Sequence, residues 1–151
     1  GYLNDLASTI KDHQDNDLDS FYDGEKPCVE NKCRDEIVRR LKDRHSKEID
    51  IFEREHNEGD NRVDINLKLL RNKIFEVQIE CKKDNNASIS SAIKDQLIDK
   101  YFKTKIQHGI LLVFCFKEDP GKLKQELIKI KAIPLGYENK IEIICMDLRR
   151  T

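Results

Sequence analysis

Asp64, Glu80 and Lys82 are the residues whose types and spacing could do chemistry. The two carboxylates offer hard oxygen ligands of the kind Mg2+ takes, an ion that keeps waters and draws further ligands from phosphates. A cation held this way can acidify a water and neutralise charge on a phosphodiester as it is attacked. Lys82 follows Glu80 by two residues, so on a strand both belong to one side, where an ammonium could position the water or meet developing phosphate charge. Cys81 belongs to the opposite side, but its backbone carbonyl is a further candidate metal ligand.

The elements that must position these groups lie within residues 62–83, which read as two strands joined near Arg71-Asn72-Lys73. In the second, Phe75, Val77, Ile79 and Cys81 alternate with Glu76, Gln78, Glu80 and Lys82, a period of two that gathers the polar residues on one side. In the first, Asp64 is lodged between Val63 and Ile65, and Leu67 continues the apolar side. Antiparallel pairing can set Asp64 beside Glu80 if the turn register allows it. Glu-x-Lys also occurs at Glu30-Asn31-Lys32 and Glu138-Asn139-Lys140, but only the middle copy sits in an alternating apolar run with an acid on a neighbouring strand. The bland alternative is a surface hairpin carrying ordinary charges.

Asp64, a gap of fifteen residues, then Glu80-Cys81-Lys82 resembles the PD-(D/E)xK nuclease superfamily, over roughly residues 28 to 148. The departure is Val63 in place of the first motif's proline. The resemblance implies a restriction-endonuclease-like α/β core, a mixed central sheet flanked by helices, with Asp64 and Glu80 as the metal carboxylates. It implies Mg2+ or Mn2+ as cofactor and DNA, ahead of RNA, as the substrate. It further implies a glutamate on the first core helix, for which Glu30 is the candidate and Glu36 the alternative, and a glutamine on the helix after the Glu-x-Lys strand, which Gln96 matches. Tyr101, five residues beyond Gln96, is turned well away on an α-helix and does not complete the Gln-x-x-x-Tyr signature of one branch. By analogy the chain would be the effector part of a longer protein, in phage defence or restriction, oligomeric or fused to a regulatory domain.

Without the motif, periodicity gives the order α-β-β-β-α-β with an appended C-terminal α-β, the core that the resemblance leads one to expect. From Val29 to Arg44 an apolar stripe of Cys33, Ile37, Val38 and Leu41 marks a helix, with Glu30 near the stripe's direction. An acid at a helix start is also favoured simply by the dipole. Residues 48–55 read as a strand, and Asn57 to Asn61 as a turn, giving a three-strand antiparallel meander with 62–70 and 74–82. Glu53 or Glu55 could then approach Asp64. Ser88 caps a helix carrying Ile89, Ala92, Ile93, Gln96, Leu97 and Lys100 at three-four spacing. The apolar run Ile110 to Phe116 reads as a buried parallel strand completing a βαβ unit. Asp119-Pro120 opens a helix through Ile133 with Leu123, Leu127, Ile130 and Ile133 inward, and Ile141 to Met146 is a last strand. Residues 1–27, with a short helix over Leu3 to Ile10 and an Asp-rich run, are expected to be an appendage or linker, and 28–151 the domain proper.

At 151 residues one domain with a respectable core is expected. Nothing resembles a signal peptide or a membrane span. The net charge of −1, from 28 basic and 29 acidic residues, lacks the footprint of a strong non-specific nucleic-acid binder. Local lysine clusters at 82–83, 94–105 and 122–131 remain, each also readable as a solvated helix face. The five cysteines form no CxxC pair, the four histidines are scattered, and free thiols in apolar strands fit a reducing cytoplasm. Two functions compete at this level: a metal-dependent endonuclease and a catalytically silent binding or assembly module on the same fold.

Overall fold

The computed structural model describes residues 2–12, 18–45, 49–53, 64–69, 75–102 and 108–150. Helix α1 (Tyr2–Lys11) leads to a small hairpin, β1 (Tyr22–Asp23) with β2 (Lys26–Pro27), and then to α2 (Glu30–His45). The strands β3 (Ile49–Glu53), β4 (Asp64–Leu69) and β5 (Phe75–Lys83) form an antiparallel meander. Helix α3 (Ile89–Ala92) runs directly into a π-helix (Ile93–Tyr101), followed by β6 (Gly109–Cys115), α4 (Pro120–Lys129) and β7 (Ile141–Asp147). All five main strands lie in one sheet, in the order β3-β4-β5-β6-β7. β6 and β7 run parallel to β5, because a helical crossover brings the chain back to the same end before each of them.

Alternation along β5 divides the molecule into layers. Val77, Ile79 and Cys81, with Ile65 and Leu67 of β4, face a core closed by Leu6 and Ile10 of α1 and Ile37 and Leu41 of α2. On the other side Leu111 and Val113 of β6 and Ile143 of β7 pack beneath Ile89, Ile93, Leu97 and Leu127. The fold is therefore a mixed α/β sheet with helices on both faces. β6, flanked by strands and covered on both sides, is buried at every position, which is why its sequence shows no alternation.

From residue 28 on, the order of elements is the one expected from periodicity, and the differences are local. α4 ends at Lys129 rather than at Ile133. Lys131 takes a left-handed φ of 54°, while Ala132 N–H bonds to Leu127 O and Lys131 N–H to Ile128 O. That is a Schellman ending with lysine where glycine is usual. It turns Ile130 outward, 58% exposed, against the expectation that it faces the core. Ser88 makes no side-chain cap; instead Asn86 Oδ1 accepts from both Ser88 N–H and Ser88 Oγ. The helix after β5 is α-helical for four residues and then changes to i→i+5 bonding, as in Phe102 N–H to Leu97 O at 2.9 Å. On a π-helix position 101 follows position 96 by one bonded turn.

The N-terminal segment, expected as an appendage, contributes Leu3, Leu6, Ile10 and Phe21 to the same core as α2 and the sheet. Its hairpin is fastened to the far end of the chain by Tyr22 Oη donating to Leu148 O and by Arg150, which stacks over the Tyr22 ring and pairs with Asp19. The expected turns at 57–61 and 71–73, and Glu55, lie outside the described residues.

Candidate active site

The register of β4 on β5 pairs Asp64 with Glu80, Asn66 with Gln78 and Lys68 with Glu76. Residues directly opposite in an antiparallel pair belong to one face, so the expected meeting of Asp64 and Glu80 occurs at the level of the backbone. The kind of pair can be deduced. Gln78 N–H bonds to His108 O and Asp84 N–H to Phe114 O, so the even-numbered residues of β5 turn their peptide groups toward β6. Asp64–Glu80 and Asn66–Gln78 are consequently non-hydrogen-bonded pairs on the β4 side, the type with Cα atoms about 4.5 Å apart and side chains closest.

Glu80 is 1% exposed and Lys82 8% exposed. Lys82 Nζ lies 3.4 Å from Glu80 Oε1, the contact expected of residues two apart on a strand. The same face carries Leu111 opposite Glu80 and Val113 opposite Lys82, both roofed by α3 and the π-helix. An ion pair in that setting loses solvation that its mutual attraction only partly returns. Gln96 is half-buried on the π-helix that covers this face, next to Leu97, whose methyl groups fill the space that a side chain at Gly109 would need.

Cys81 presents its thiol to the opposite core, as expected. By the same alternation its carbonyl points to the β4 side, one residue beyond the Asp64–Glu80 pair, where a ligand to a shared ion would have to point. Two positions further, Lys83 N–H also points that way, past the described start of β4, and there Glu30 takes the place of a strand partner. Its Oε1 accepts from Lys83 N–H at 2.8 Å and from Asn86 Nδ2 at 2.9 Å. Glu30 therefore sits at the end of the Glu-x-Lys strand, three residues or about 10 Å along it from Glu80, and anchors α2 to that end. Glu36 is occupied elsewhere: burial pushes its carboxyl up, but hydrogen bonds from Arg39 and Arg40 prevail and hold it below the usual range. Glu53 pairs with Ile65 and so belongs to the other face from Asp64.

Two residues that sequence reasoning left without a role join the site. Gln78 is fully buried, and neither its Oε1 nor its Nε2 has a hydrogen-bond partner among the described residues; the same holds for Asn66 Oδ1. Both lie one row along from the carboxylate pair, a position legible only once the register is known. Amide oxygens one row along the sheet from the buried Glu80 carboxylate are hard oxygen acceptors, the chemistry that suits Mg2+ or Mn2+ and the water it keeps. Among the described residues no group of three or more His, Cys, Asp and Glu comes together.

A family model described as a domain of unknown function (DUF8371) matches residues 2–118, a stretch that runs from α1 to just past β6 and includes both strands of the site. Neither the curated proteins nor the solved structures give a match.

Proposed function

The chain belongs to the DUF8371 family, and for it we propose a metal-dependent endonuclease of the PD-(D/E)xK kind, acting on DNA in preference to RNA. The observation that carries the reading is the pairing of Asp64 with Glu80 in a close antiparallel pair, with Lys82 Nζ 3.4 Å from Glu80. Asp64, Glu80 and the Cys81 carbonyl would hold Mg2+ or Mn2+, which when bound supplies charge neutralisation and a more acidic water. Lys82 steadies the Glu80 carboxylate in the resting protein and meets phosphate charge as the phosphodiester is hydrolysed. Gln96 faces substrate from the π-helix. Glu30 is a positioning residue that fixes the end of β5. An effector role in phage defence or restriction, in the cytoplasm and within an oligomer or a larger protein, follows by analogy with the superfamily alone.

Incubation with linear, circular and single-stranded DNA and with RNA, with Mn2+ or Mg2+ and with chelator, tests the proposal. Cleavage should require the ion and disappear in Asp64→Ala and Lys82→Ala. Cleavage that survives both substitutions removes this site. The second reading, a silent binding or assembly module, draws on the near-complete burial of Glu80 and the net charge of −1, and gains if no substrate is cut. Among the described residues no helix is long and apolar enough to cross a membrane.

A further inference from the structure

Gln78 is the residue the proposed chemistry leaves unexplained. Its side chain is wholly buried at the centre of a five-stranded sheet, and the two ends of its amide have no partner among the described residues. Its cross-strand neighbour Asn66 likewise holds a buried Oδ1 with none. The pair is of the close, non-hydrogen-bonded kind, yet the two amides do not bond to each other. A buried amide is expensive to leave unsatisfied, and sequences rarely keep one without a use. An apolar residue would fit the sheet at less cost, as Leu111 and Val113 show on the same face. A ligand is therefore called for, and it must bring hydrogen-bond donors, because two of the three orphaned atoms are acceptors.

We propose that Asn66 and Gln78 are outer ligands of the cation site, their carbonyl oxygens accepting hydrogen bonds from the hydration water that a divalent ion at Asp64 and Glu80 retains. The inference rests on the metal-site reading and extends it to a second row of residues. Mg2+ and Mn2+ part with water reluctantly, and cation-bound water is a strong donor that needs acceptors. The carboxylates of the first row contact the ion; the amides of the second, adjacent along both strands, hold its water. Two uncharged acceptors suit this task, since they orient water without adding negative charge beside Glu80. Partners of this outer kind fix the direction of the inner ligands and sharpen affinity.

The test uses the full chain and two readouts, Mn2+ binding followed by electron paramagnetic resonance and thermal melting without metal. Gln78→Met preserves length and apolar volume but removes the acceptor; Asn66→Leu does the same on β4. Each should bind Mn2+ about tenfold more weakly, while melting without metal at or above the wild-type temperature. Glu80→Gln, which alters an inner ligand, should lose binding altogether. Wild-type affinity in both Gln78→Met and Asn66→Leu, with binding still lost in Glu80→Gln, overturns the outer-ligand role and leaves the cation site standing. Failure of the wild-type protein to bind Mn2+ overturns both. A metal-free melting point well below wild type in Gln78→Met, or failure of that variant to fold, assigns the amide to a permanent structural water and also overturns the inference.

Discussion

Removing Lys82 alone should damage the fold more than removing Lys82 and Glu80 together. The ammonium and carboxylate are 3.4 Å apart and both nearly withdrawn from water. At that separation and an effective dielectric of about 20 their attraction is about 5 kcal/mol. Desolvation of the lysine offsets part of this, so Lys82→Met should cost about 3 kcal/mol, because a buried carboxylate is left with less compensation. For a chain of 151 residues, each kcal/mol moves the melting temperature by about 2–4 °C, so a fall of about 6–12 °C is expected. The double variant Glu80→Leu/Lys82→Met replaces the pair with apolar residues of similar size, like those that flank it. It should lie within about 1 kcal/mol of wild type or above it. Urea unfolding of the two single variants and the double, at pH 7 and without metal, gives the cycle directly. A Lys82→Met cost below about 1 kcal/mol, or single costs that simply add in the double, would refute the claim that the pair is buried and coupled.

Glu30→Ala strips the acceptor from a half-buried Lys83 N–H and should cost about 1–3 kcal/mol, with faster hydrogen exchange at that amide. Glu30→Gln keeps an acceptor and should cost less; an unchanged Lys83 exchange rate in Glu30→Ala would contradict the anchoring role. Burial pushes the Cys33 thiol up to about 12 from a usual 9.0. Between those two values the unfolded chain sheds a proton that the folded chain keeps, so stability should fall as pH rises, by about 1.4 kcal/mol per unit from this group. Cys33→Ala should flatten that slope in denaturant melts across the alkaline range. Lys131→Gly relieves a left-handed φ of 54° and should raise stability by about 1 kcal/mol, where Lys131→Ala should not.

What the sequence discloses of this molecule depends on whether a feature is local. The alternation from Phe75 to Lys82, the helical stripe from Cys33 to Leu41 and the unbroken apolar run beginning at Ile110 each record how many faces of an element are covered, and the strands and helices fall there. The pairing of Asp64 with Glu80 was conditional on a turn register that no single residue reveals. Spacing alone carries α4 past its end because the stop lies in Lys131 adopting a conformation that lysine seldom takes. The π-helix reads as an α-helix because Ile93 and Leu97 continue the three-four spacing that Ile89 and Ala92 begin on α3; the change shows only in the backbone bonding. Docking of α1 onto the core was hidden by the Asp-rich segment after it, whose polarity reads as a linker although Leu3, Leu6 and Ile10 form one apolar side. Glu30 stands out by its place near the apolar stripe, but spacing carries no sign of its bonds to Lys83 and Asn86, more than fifty residues away. Gln78 and Asn66 stood in view as ordinary polar positions of an alternating strand until burial showed what each lacks.

Whether residues 64 and 80 grip one ion together decides the proposed activity. Calorimetric titration of Mn2+ into wild type, Asp64→Asn and Glu80→Gln measures this most directly. One site in the wild type, lost in either single variant while both variants still melt cooperatively, is the predicted result. Undiminished binding in both variants would contradict it.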